Sequence, residues 1–102
     1  MRKLVRDRMP EIIRAKGETP IVYRAEPDEY RSRLRDKLVE EVDEFLGEDD
    51  RDAALVELAD VLEVVRALAV DLGSTAEEIE RIRSEKAAER GAFAERIIWS
   101  DR

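Results

Sequence analysis

The chain has 102 residues, a length that fits one domain with a modest core. Its charged fraction of 44% accompanies an apolar fraction of 43% and a net charge of −7. Mixed charges with few Gly and Pro point to helices with solvated faces rather than disorder, and the acidic balance disfavours nucleic-acid polymers as partners.

The opening MRKLVRDRMPEIIRAKG reads as a short extended piece and then a helix. Asp7 is placed to cap that helix, Pro10 fits its first turn, and Gly17 ends it. The β-branched and aromatic residues of TPIVYRAE predict a short strand at about residues 20–25. Pro27 opens a long helix to about Leu46, with Tyr30, Leu34, Leu38, Val42 and Phe45 at helical spacing. After GEDD a second long helix is expected over about residues 50–72. Leu55, Leu58, Leu62, Val65 and Leu72 line one face, and Val61, Leu68 and Ala69 widen it. Gly73 ends that helix, and Ser74 with Glu77 makes a capping box for a third one, running to Arg90. Ile79, Ile82 and Ala87 give this last helix only a narrow apolar stripe, and Gly91 stops it. Residues 96–99 of the tail are strand-like and suited to pair with residues 20–25. The expected fold is therefore all-α, a bundle of three long helices plus a short N-terminal one, with a minor two-stranded β pairing as an option. One domain spans residues 1–102.

The absence of Cys and His removes disulfides, thiolate chemistry, imidazole ligands and His-based triads. No apolar run approaches membrane-spanning length, and the N-terminus has no signal-peptide core, so a cytoplasmic location without membrane partners is expected. Hydrolytic chemistry has to rest on carboxylates, Lys, Arg, Tyr or hydroxyls, aided by a metal. A nucleotide is an admissible ligand where cations reverse the local field.

The two central helices carry acids within their apolar stripes. Glu41 lies on the line Leu34, Leu38, Glu41, Phe45, with Glu44 one turn on; Glu57 lies on the line Glu57, Val61, Val64, Leu68, with Asp60 one turn on. With 26 acids in the chain, about six pairs at a spacing of three arise by chance, so position among apolar neighbours carries more weight than spacing. Antiparallel packing, favoured by the short connection, brings four carboxylates together. Unpaired, they repel; divalent cations relieve that. All-oxygen donors suit Mg²⁺ or Mn²⁺, and the lack of Cys and His disfavours zinc.

Lys37, one turn before Glu40 and Glu41, and Lys86 and Arg90, four residues apart, are candidate phosphate-binding groups; surface ion pairing is their alternative use. Lys3, Arg6, Asp7 and Arg8 form a comparable cluster, either an anion site or a solvated terminus. Phe93 and Trp99 are expected to pack in the core, stacking on a base being the other option.

EEVDE (Glu40 to Glu44) followed by ELAD (Glu57 to Asp60) resembles the E-E-x-x-E … E-x-x-D signature of the MazG-like nucleotide pyrophosphohydrolases. That all-α superfamily also includes dimeric dUTPases and phosphoribosyl-ATP pyrophosphohydrolase. The opening KLVRDRMPEII and the later KAAERGAF resemble one branch of small MazG-like proteins. The resemblance implies Mg²⁺-dependent cleavage of a nucleoside triphosphate, canonical or non-canonical, to monophosphate and pyrophosphate. It implies Glu41, Glu44, Glu57 and Asp60 as metal ligands, Glu40 as a residue that orients a ligand or the attacking water, and a homodimer or homotetramer. The phosphoribosyl-ATP branch typically has a His soon after its second acidic motif; this chain has none, which places histidine biosynthesis second. A non-catalytic helical oligomerisation module is the alternative of a different class. It explains the stripes but not the acids within them.

Overall fold

The computed structural model describes residues 2–101, and all its regular structure is helical: α1 (Met9–Ala15), α2 (Pro27–Leu46), α3 (Arg51–Asp71) and α4 (Ala76–Arg90). No helix is long and apolar enough to cross a membrane. Local chemistry sets the boundaries. Pro27 starts α2, and Asp28 and Glu29 place negative charge at its positive end. Asp50 caps α3 by accepting from the Ala53 N–H at 2.9 Å.

Two expected caps are corrected. Asp7 does not cap α1; Arg8 occupies that position without a side-chain cap bond, and Asp7 faces the cleft described below. Thr75, not Ser74, caps α4, its hydroxyl accepting from the Glu78 N–H at 3.0 Å. Ser74 still belongs to the end of α3: its N–H donates to the Ala69 carbonyl at 2.9 Å, around Gly73 at φ +84°. This is the turn in which a left-handed glycine closes the preceding helix, so the next residue takes over the cap.

α2 and α3 run antiparallel. Arg31, near the start of α2, pairs with Asp71 at the end of α3 at 3.0 Å, whereas Glu44, near the end of α2, meets Glu57 in the first half of α3. Between these ends lies the core of buried Leu34, Val64 and Ala69, flanked by half-buried Leu38, Val42, Phe45, Val61 and Leu68. α4 packs on α3 and not on α2, so the three long helices do not close into a bundle within one chain.

The consequence falls on α3. Its Glu57, Val61, Val64, Leu68 line turns to α2. Leu55, Leu58, Leu62 and Leu72, expected as the main core face, remain 44–76% exposed. A helix with two apolar faces needs two partners, and α4 covers only part of the second face. The chain is accordingly extended, 57 × 35 × 24 Å with a Cα radius of gyration of 17.4 Å, against about 13 Å for a compact domain of this length.

The β pairing is also corrected: neither residues 20–25 nor residues 96–99 form a strand among the described residues. Ile21 and Ile97 have no apolar surface to cover them, and an isolated two-stranded pair is marginal in water. The tail turns where its strand was expected to begin, with Arg96 at φ +57° and its N–H donating to the Phe93 carbonyl at 3.2 Å. Phe93 and Trp99 lie almost fully exposed rather than in the core.

Candidate metal centre

Helical spacing puts Glu41 and Glu44 one turn apart on α2, and antiparallel packing brings Glu57 of α3 to them. One carboxylate oxygen from each lies within 4.8 Å of the others. Glu41 is 7% exposed, Glu57 is half-buried and Glu44 is exposed, so the cluster runs from the helix interface out to solvent. The Oε2 atoms of Glu41 and Glu57 are buried with no hydrogen-bond partner among the described residues. A buried carboxylate oxygen in that state is costly, because water has been removed and nothing replaces it.

One cation gives partial compensation. Lys37 Nζ lies 3.4 Å from Glu41 Oε1 and 3.2 Å from Glu40 Oε2. Burial nevertheless pushes the Glu41 carboxyl above the usual glutamate range, the Glu44 charge adds to the shift, Lys37 opposes it, and Asp60 adds a smaller push. A carboxyl whose folded pKa is raised binds its proton more tightly in the native state, so its contribution to stability is complete below the unfolded value and is lost as pH rises through the folded one. Metal-free protein is therefore expected to lose stability as pH climbs above 4.5, the ordinary glutamate value. Glu41→Gln removes that part of the slope. Thermal melts of wild type and Glu41→Gln from mildly acid to neutral pH check this; parallel curves would refute it.

The other expected site residues divide. Asp60, expected as the fourth ligand, does not join the three clustered glutamates; its Oδ1 accepts from Arg6 Nη2 at 2.6 Å. Glu40 lies at the edge, accepting from Lys37 and 3.7 Å from Lys3 Nζ. Lys86 and Arg90 stand exposed on α4, outside the lining of the cleft beside the cluster. That cleft, about 270 Å³, lies between the N-terminal segment, α2 and α3; Arg6, Tyr30, Lys37, Glu41, Asp60 and Glu63 are among its walls. Glu63 was open to notice in the sequence, since it continues the three-residue step from Glu57 and Asp60. The contact of Arg6 with Asp60, 54 residues away, has no local signal.

The donor set fits a hard divalent cation. It is all oxygen, it spans two helices, and two of its three carboxylates each carry a buried oxygen with no hydrogen-bond partner among the described residues.

No family model matches the chain, and no solved structure matches it. Over 55 residues it is 54% identical to an uncharacterised protein of Mycolicibacterium smegmatis. The match covers 54% of this chain and 56% of that protein, so the chain spans little more than half the length of the curated relative it matches.

Proposed function

We propose that the chain is a MazG-like, Mg²⁺-dependent nucleoside triphosphate pyrophosphohydrolase, with Mn²⁺ as the substitute cation. The observation that carries this reading is the pair of buried, unpartnered carboxylate oxygens of Glu41 and Glu57, where Glu41 and Glu44 of α2 meet Glu57 of α3. Structural acids are ordinarily matched by cations or backbone donors; these two oxygens are matched by neither.

Glu41, Glu44 and Glu57 hold the cation, and Asp60 is the further ligand available on the next turn of α3. When bound there, the cation polarises phosphate oxygens and acidifies water. Glu40, held at the cleft edge by Lys37 and Lys3, orients the attacking water and receives its proton. Water adds to the α-phosphorus, the bond to the β-phosphate oxygen breaks, and monophosphate and pyrophosphate leave. Lys37 stays beside the glutamates and offsets their charge as the polyphosphate enters. Assembly into a cytoplasmic homodimer or homotetramer belongs to the same reading. The chain exposes 9,227 Å², against about 5,900 Å² for a folded monomer of its mass. In such an assembly Lys86 and Arg90 of the partner subunit are free to reach the cleft that they do not reach within their own chain.

Mg²⁺ is expected to stabilise the fold, since it binds the native cluster and not the unfolded chain. At a hundredfold excess over Kd the gain is about 2.7 kcal/mol, which moves Tm by about 10 °C or more for a chain of this size. Thermal scans in chelator and in millimolar Mg²⁺, paired with pyrophosphate release from a panel of nucleoside triphosphates, test both halves of the reading. Unchanged Tm together with no pyrophosphate from any of them would overturn it.

A further inference from the structure

The cleft carries more acid than three glutamates can share. Asp7, Glu41, Asp60 and Glu63 line it and Glu40 sits beside its Lys37, and a triphosphate entering such a pocket meets a repulsive field even with a cation bound. Lys37 is already engaged by two glutamates. The remaining positive charge near the cleft comes from the N-terminal segment. Arg6 lines the cleft and donates to Asp60 at 2.6 Å, and Lys3 lies 3.7 Å from Glu40. The segment is tied down behind them. The Arg2 carbonyl accepts from Arg33 Nη1 at 3.4 Å, and the Arg2 guanidinium sits 5.6 Å from the centre of the Tyr23 ring. Tyr23 and Arg33 both donate to Glu29. The segment that carries Arg6 in the cleft wall and Lys3 beside Glu40 is thus tied down at Arg2 by contacts other than the ion pairs of Lys3 and Arg6.

We propose that Lys3 and Arg6 form the polyphosphate-binding site of this cleft, and that Arg6 occupies Asp60 only until a divalent cation takes that carboxylate. This rests on the metal-centre reading above and adds the substrate-binding groups to it. Asp60 lies one turn beyond Glu57 on α3 and stands apart from the three-glutamate cluster while Arg6 holds it. A cation bound by Glu41, Glu44 and Glu57 competes with Arg6 for Asp60. Its arrival frees the guanidinium beside the place where the phosphates must lie. An arginine fork matches phosphate oxygens two at a time, and it is more weakly hydrated than an ammonium, so it transfers readily from a carboxylate to a phosphate. Arg6 is 58% exposed in its side chain, which leaves it room to turn.

Two effects of opposite sign follow from removing Arg6. Arg6→Gln binds Mg²⁺ alone several-fold more tightly than wild type, because the competitor for Asp60 is gone. The same variant, saturated with Mg²⁺, binds inorganic tripolyphosphate at least about tenfold more weakly, the usual loss for a charge-assisted contact. Lys3→Gln weakens tripolyphosphate binding and leaves Mg²⁺ affinity within about twofold, since Lys3 pairs with Glu40 and not with a ligand. Calorimetric titration of purified wild type, Arg6→Gln and Lys3→Gln, with circular dichroism to show equal helix content, reads all of this without turnover. Tripolyphosphate binding unaltered in Arg6→Gln overturns the inference, and so does weakened Mg²⁺ binding in that variant, which is the behaviour of a structural clamp. Either result leaves the metal centre standing as long as wild type binds Mg²⁺. Wild type that binds no Mg²⁺ overturns the inference and the metal centre together.

Discussion

Glu41→Gln is expected to stabilise the metal-free protein while removing its turnover. The carboxylate is buried, one of its oxygens has no partner, and the charge of Glu44 lies beside it. An amide of the same shape removes the like-charge repulsion and keeps the volume of the buried side chain. Replacing a poorly compensated buried charge in this way is worth roughly 1 kcal/mol or more. Lys37 keeps Glu40 as its partner, so no cation is stranded. On the proposed function the same change takes a charged ligand from the cation, and turnover is expected to fall on the order of a hundredfold or more. Asp60→Asn is expected to follow in activity, with a smaller stability change because it also breaks the contact with Arg6. Glu80→Gln is the control: Glu80 is exposed on α4 and pairs with Arg83, so neither quantity moves appreciably. Chemical denaturation in chelator and pyrophosphate release in Mg²⁺ read the two effects separately. A stable Glu41→Gln with near-normal turnover would remove Glu41 from the metal centre.

What the sequence made legible, and what it did not, follows from the range of the forces involved. Helix positions were legible because their causes are local. Pro27, Gly73 and the apolar spacing each act within a turn or two, and α2 through α4 lie where that spacing placed them. The juxtaposition of Glu41, Glu44 and Glu57 was legible for a related reason: a short connection leaves two long helices little choice but to pack antiparallel, which brings the end of one against the start of the next. Legibility ended where partners are distant or outside the chain. Nothing near Asp60 announces Arg6, 54 residues away. The strand-like segments at residues 20–25 and 96–99 have suitable side chains, yet strand formation depends on a partner edge that the chain does not supply. On α3, two apolar lines were visible in the periodicity. Periodicity alone does not say which line faces the neighbour within the chain, and the richer leucine line is the one left outside.

That leucine face is the basis of the second large effect. The surface in excess of a compact monomer of this mass is about 3,300 Å², and Leu55, Leu58, Leu62 and Leu72 of α3 contribute to it with Ile79 and Ile82 of α4. So many large apolar side chains exposed on two neighbouring helices are more than a monomeric protein ordinarily leaves in water. A second copy of the chain is the expected occupant, since it brings the same apolar face and two-fold pairing makes such a face self-complementary. Leu62→Lys, placed mid-stripe, is expected to convert the assembly to monomer at micromolar concentration and to lower Tm, because an ammonium cannot enter an apolar interface without a partner. The equivalent change at Val39, an exposed position on α2 away from that stripe, is expected to leave the mass unchanged. The cluster of Glu41, Glu44 and Glu57 lies within one chain, so on the proposed function monomeric Leu62→Lys is expected to keep Mg²⁺ binding where it remains helical. Its turnover falls if Lys86 and Arg90 of the partner subunit complete the cleft, and survives if each chain acts alone. Light scattering on wild type and both variants decides the assembly itself: a wild-type mass of 11.8 kDa at micromolar concentration would show that the leucine face is not an interface between copies of this chain.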